Sequence, residues 1–237
     1  MRTLVPEMER RGARKHLGLS PGGIATLPWR FLRSDRAIRC LECLATHPLQ
    51  VDFPMKIVQY PHPALRAKCR PLTALDESVR RTAAEMVDLM HAADGLGLAA
   101  PQVALDYQLV VMSIPTGEET PPLEVIAVNP VIVEGSGAFK DREGCLSFPG
   151  LYQDIRRFHK VKAQYYGLDG TLHEMICTDL AARLWQHEID HLQGTLFIDK
   201  MTTEALRRSR RYLESYIDEF EEDLRKGKLP PGTAPKM

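Results

Sequence analysis

The sequence predicts an α+β fold: antiparallel sheets packed around a central helix that carries a metal-ligand motif, with a further helix near the C-terminus. Three observations predict it. Strand-like and helix-like segments are mixed along the 237 residues without strand–helix–strand regularity. A tight-turn signal, Gly167-Leu168-Asp169-Gly170, joins two strand-like segments into a hairpin. A helix too apolar to be merely a solvated face contains His187-Glu188-Ile189-Asp190-His191.

Residues 1–54 stand apart. They hold nine Arg and Lys against five acids, are punctuated by Pro6, Pro21, Pro28, Pro48 and Pro54, and keep no sustained period. They read as an extension: a disordered arm, a targeting peptide, or the product of a start upstream of the native one. Glu7, Glu9 and Asp35 weigh against targeting, because transit peptides are poor in acids.

At Met55 the text changes. Met55 to Pro61 reads as the opening strand of a catalytic domain over 55–200. Asp76 to Asp94 is a predicted helix: Val79, Ala83, Met86, Val87 and Met90 recur at helical spacing, Thr73 with Asp76 forms a capping box, and Gly95 ends it. Gln108 to Ile114 and Leu123 to Val133 read as strands, and Lys160 to Tyr166 with Thr171 to Cys177 as the hairpin. Leu180 to Leu192 is the motif helix. Residues 201–237 hold a helix over Glu204 to Lys226, striped by Leu206, Leu213, Ile217, Phe220 and Leu224, and a tail marked by Gly227, Pro230 and Pro231.

Composition excludes several function classes. Basic and acidic residues number 31 each, so no whole-protein field grips nucleic acid; with aromatics at 7%, no DNA partner is expected. No uncharged apolar run approaches the ~18–20 residues of a membrane span. Five dispersed cysteines do not form a disulfide framework and fit a reducing cytoplasm. Cys40-Leu41-Glu42-Cys43 is a lone pair with no second pair and takes no role.

The chemistry gathers in three segments. On a helix, His187 and His191 lie one turn apart on one face and reach one metal ion, with Glu188 beside them to take a proton from water. A catalytic metal wants three protein ligands. A protease of the metzincin type would carry its third His at Phe197, which excludes that class. A thermolysin-like site would draw on Glu214, Glu219 or Glu221 of the terminal helix. The better candidate is Cys145 in Glu143-Gly144-Cys145-Leu146-Ser147, a thiol in a glycine turn. The third segment, Gly95 to Gln102, imitates a dinucleotide motif but follows a helix and contains Pro101. Its two glycines let backbone approach a ligand, and Gln102 offers an amide donor.

In this order and spacing, Gly95–Gln102, Glu143–Ser147 and Gln186–His191 resemble the G-x-G-x-A-A-x-Q, E-G-C-L-S and Q-H-E-x-D-H segments of the peptide deformylase family. The resemblance covers about Met55 to Lys200. It implies a metallohydrolase that removes the formyl group from N-formyl-methionine on nascent chains, with Cys145, His187 and His191 as ligands and Glu188 as base. It also implies that Gln102 and the Leu146 backbone N–H stabilise the formyl oxygen, that Gly97 contacts the peptide, and that Leu98, Leu180 and Leu184 line the methionine pocket. The implied metal is Fe²⁺, with Zn²⁺, Ni²⁺ or Co²⁺ able to substitute. The implied partners are formyl-methionyl peptides and, through the C-terminal helix as in some bacterial relatives, the ribosome. The implied compartment is a bacterial cytoplasm, or an organelle if residues 1–54 are a transit peptide. Two positions depart: Tyr152 stands where bacterial members carry an Arg that meets the substrate backbone, and Arg183 where many members line the pocket with an aliphatic residue. An endopeptidase and a binding protein with a vestigial site are the competing readings.

Overall fold

A computed structural model describes residues 55–117, 119–229 and 233. The expectations for residues 1–54, including Cys40 and Cys43, lie outside these.

Among the described residues, seven strands form two antiparallel sheets. β1 (Gly97–Ala99), β2 (Leu109–Ile114), β3 (Leu123–Ser136), β6 (Lys160–Tyr166) and β7 (Leu172–Thr178) make a five-stranded sheet in the order β1-β2-β3-β6-β7. β4 (Phe139–Cys145) and β5 (Phe148–Arg157) make a separate two-stranded ribbon. The helices are α1 (Glu77–Ala92), α2 (Asp179–Leu192) and α3 (Thr203–Arg225).

The five-stranded sheet sits between α1 and α2. Every residue of β2 is buried, which is why it reads as an unbroken apolar run. Its alternate side chains serve different cores: Leu109 and Val111 pack with Ala83, Met86 and Met90 of α1, whereas Val110 and Met112 pack with Ala182, Leu184 and Trp185 of α2. Trp185 is fully buried, and its truncation to Ala would cost ~3–5 kcal/mol. A third core joins Phe148, Leu151 and Ile155 of β5 to Phe197, Ile198 and Met201 and to Ala205 and Tyr216 of α3. Among the described residues, no helix is long and apolar enough to cross a membrane.

Local chemistry corrects four expectations. Residues 55–59 form no strand; instead the Val58 N–H donates to the Gln102 carbonyl at 2.8 Å and the Tyr60 N–H to the Ser147 carbonyl at 3.0 Å. Thr73 is not a cap: Asp76 is the N-cap of α1 and accepts from the Val79 N–H at 3.1 Å. α1 ends ahead of Gly95, with Asp94 in the left-handed region at φ 53°. On α3 the buried face is Ala205, Ser209, Tyr216 and Phe220, while Leu206 is exposed. The rest of the predicted stripe, Leu213, Ile217, Phe220 and Leu224, is buried or half-buried, and Tyr216 closes over the β4–β5 turn, where its hydroxyl donates to the Pro149 carbonyl at 2.8 Å.

Candidate metal centre

α2 and the β4–β5 turn meet at one point. On α2, Ala182, Leu184 and Trp185 point into the sheet core, which turns His187 and His191 toward the ribbon. On β4, Glu143 and Cys145 alternate with Gly144 and share its inward face. Gly144 has no Cβ because the Tyr152 ring lies across it: a Cβ there would be 2.4 Å from Tyr152 Cε1.

Cys145 Sγ lies 3.3 Å from His191 Nε2, and His191 Nε2 lies 3.2 Å from His187 Nε2. One ligand atom from each of Cys145, His187 and His191 falls within 4.8 Å of the others. His187 Nδ1 is 2.7 Å from Glu143 Oε1. A carboxylate oxygen only accepts, so a ring proton stands on Nδ1 and Nε2 is the atom that faces the centre. Burial works against charge on His187, yet Cys145 and Glu143 hold it well above its ordinary range. Burial and the neighbouring His187 push His191 well below. The donor set of one thiol and two imidazoles suits a borderline divalent cation. Glu214, Glu219 and Glu221 take no part: all three are exposed on α3, and Glu214 is engaged by Arg210 at 2.7 Å.

Glu188 lies beside this group. It is 2% exposed, its Oε2 has no partner among the described residues, and burial pushes its carboxyl up to about 7. Gly97 makes room for it: a Cβ there would stand 2.4 Å from Glu188 Oε1 and 2.9 Å from Leu184 Cδ1. Gln102, in the short 3-10 turn Ala100–Val103 after β1, is fixed by the Ala99 N–H, which donates to its Oε1 at 2.8 Å. Its Nε2 is thereby aimed at Cys145 Sγ, 3.5 Å away, and at Ser147 Oγ, 3.4 Å away.

Cys145, His187, Glu188 and Gln102 line a cavity of about 490 Å³, with Gly97, Leu146, Leu180 and Leu184 also in its walls. Leu98 is not there. It follows Gly97 on β1, so its side chain takes the opposite face and is fully buried against α1. Arg183 does line the cavity, but its guanidinium is buried rather than open to it, with Nη1 donating to Glu143 Oε2 at 2.8 Å. Tyr152 is exposed at the mouth, with the Arg142 guanidinium 5.0 Å above its ring.

Sequence reasoning missed the charged frame behind Cys145, His187 and His191. Arg157 of β5 donates to both Glu143 oxygens, at 2.6 and 3.0 Å, and also bonds Asp190 of α2. Burial alone would raise Glu143, but His187 and Arg157 outweigh it and hold the carboxyl well below the usual range. Glu143 and Asp190 stand inside the motifs and could have been flagged as partners. Arg157 carried no signal, since only the hairpin brings it to Glu143.

The polypeptide deformylase family profile matches residues 54–207. The chain is 41% identical over 175 residues to a peptide deformylase 1B, chloroplastic/mitochondrial, of Arabidopsis thaliana, covering 73% of this chain and 64% of that one. It therefore spans less than two thirds of that relative's length. A peptide deformylase of Rhodopirellula baltica is 38% identical over 171 residues, covering 72% of this chain and 83% of the relative. Among solved structures, a plant peptide deformylase matches with TM-score 0.70 at 40% identity, over 78% of this chain and all of that one. A Legionella pneumophila peptide deformylase matches with TM-score 0.63 at 34% identity, over 75% of this chain and all of that one.

Proposed function

The chain belongs to the polypeptide deformylase family, and from that premise we propose that it hydrolyses the formyl group from the N-terminal formyl-methionine of newly made polypeptides, releasing formate. The observation that carries the reading is the convergence of Cys145, His187 and His191 beside a buried, unpartnered Glu188. In this reading residues 55–200 are the catalytic domain, 1–54 an extension, and 201–237 a helix and tail.

Cys145 of β4, with His187 and His191 of the α2 motif, would hold one divalent metal, Fe²⁺ in the cell, with Zn²⁺, Ni²⁺ or Co²⁺ able to substitute. When bound, such an ion supplies a Lewis acid that polarises the formyl carbonyl and acidifies water. Glu188 takes the proton from the attacking water as its oxygen bonds to the formyl carbon. Gln102 Nε2 and the Leu146 backbone N–H donate to the formyl oxygen as negative charge grows there. The Ala99 bond to Gln102 Oε1 fixes which end of that amide faces inward, so no reorganisation is needed. The carbon–nitrogen bond then breaks, and Glu188 passes its proton to the leaving amine. Gly97 offers backbone to the peptide, and Leu180 and Leu184 line the methionine side chain's pocket.

Docking on the ribosome through α3 finds little support: Arg207 and Arg208 pair with Glu204, and Arg210 with Glu214, so that surface is largely self-neutralised. Relatives named for chloroplasts and mitochondria, and others from bacteria, support a compartment where translation begins with formyl-methionine.

A peptide series tests the function. Metal-loaded full chain should release formate from formyl-Met-Ala-Ser and leave internal bonds intact. Internal cleavage without formate would make the protein an endopeptidase. Neither product would leave a binding protein.

A further inference from the structure

Arg183 is left unused by the mechanism above, and its surroundings are unusual. It is 3% exposed, and Nε and Nη2 have no partner among the described residues. Its Nη1 donates to Glu143 Oε2 at 2.8 Å and to the Ile155 carbonyl at 3.0 Å, and its Cζ lies 4.6 Å from the Phe139 ring centroid. A buried guanidinium with two idle donors is a poor way to stabilise a core.

Its position explains it. Arg183 precedes His187 by four residues, one turn along the same face of α2. Glu143 precedes Cys145 by two, on the same face of β4. Arg183 and His187 therefore grip one carboxylate from one helix: Oε2 receives Arg183 and Oε1 receives His187. A second tie closes the other end, where Arg157 joins Glu143 to Asp190, the residue before His191. The two ties fix the distance and register between the ribbon that carries Cys145 and the helix that carries both histidines.

We propose that Arg183 is a positioning residue for the metal centre: through Glu143 it holds the Cys145 strand in register with the His187–His191 helix, and so sets how tightly the metal is kept. The proposal rests on reading Cys145, His187 and His191 as ligands. Arg183, which stands where many family members line the pocket with an aliphatic residue, acts in this proposal through Glu143 rather than on the methionine side chain.

Removing Arg183 does not bare Glu143, which keeps Arg157 and His187. Removal also relieves two buried idle donors. A support for the fold and a support for the metal therefore predict opposite signs.

The test uses zinc-loaded full chain and a chromogenic chelator, with thermal melting of the metal-free protein alongside. Arg183→Met should release zinc ~10-fold faster or more, the lower end for loss of an outer partner of a ligand. Its metal-free form should melt no lower than the wild type. Arg183→Lys, which keeps one cationic donor for Glu143, should recover most of the retention. Unchanged release from Arg183→Met overturns the proposal. So does Arg183→Lys releasing zinc as fast as Arg183→Met, or a metal-free Arg183→Met protein that melts below the wild type. A wild type that holds no zinc overturns the ligand reading itself. Zinc behaviour as expected without formate release would overturn only the deformylase reading.

Discussion

Two hairpins of this protein invite comparison. β6–β7 closes on Gly167-Leu168-Asp169-Gly170, with Gly170 at φ 79° and Asp169 capping the Thr171 N–H at 2.9 Å. Its inward residues, Val161, Ala163, Tyr165 and Cys177, are apolar or nearly so. β4–β5 turns through Leu146 and Ser147, with the register slipping between Gly144 and Cys145. Its inward positions include Glu143, Cys145 and Arg157. The first hairpin keeps charges out of its inward face and holds no proposed site residue. The second breaks alternation by turning charges inward and holds the thiol. Strands that carry a site are hardest to read, because the residues that make the site displace the apolar ones that mark a strand.

The comparison breaks most readily at the thiol. Cys145→Ala should lose stoichiometric metal and formate release together, while Cys177→Ala of β7 keeps both; metal analysis after desalting decides. Metal retained by Cys145→Ala would put the third ligand elsewhere.

Next in size is the base. Glu188→Gln should keep metal and lose turnover by at least ~10²-fold. Gly97→Ala, which forces a methyl toward Glu188 Oε1, should lose ~10²-fold by displacing the carboxylate, again with metal intact. Wild-type turnover in either metal-replete variant would remove Glu188 from the mechanism.

Gln102→Leu deletes the amide at similar volume and should cost ~10²–10³ in turnover without metal loss. Unchanged turnover would place Gln102 outside the chemistry.

The smallest effect belongs to the regular hairpin. Gly170→Ala strains a left-handed turn and should lower stability by ~1 kcal/mol or somewhat more, read as a lower Tm, with formate release per folded molecule unchanged. A selective loss of turnover there would erase the distinction between the two hairpins.

Legibility follows the same division. β2, β3, the β6–β7 pair, α1, α2 and α3 were visible because their periods are carried by apolar residues, and their ends moved by only a few residues. β1 was invisible because three residues between the Asp94–Gly95 turn and the 3-10 turn Ala100–Val103 have no period of their own. Leu98 was misplaced for that reason: without knowing that Gly97–Ala99 is a strand, nothing says that adjacent side chains part. The proposed ligands were legible because His187 and His191 share one helix and Cys145 sits in a conspicuous glycine turn. Arg157 and Arg183 were not, because each acts through Glu143, and only the folded ribbon brings the three together.

If a hairpin thiol and two helix imidazoles share one metal, X-ray absorption at the edge of the bound metal in the full chain should show it. The expected inner shell holds one sulfur and two imidazole nitrogens, the sulfur at about 2.3 Å for zinc. A shell without sulfur, or with a carboxylate in its place, would contradict it.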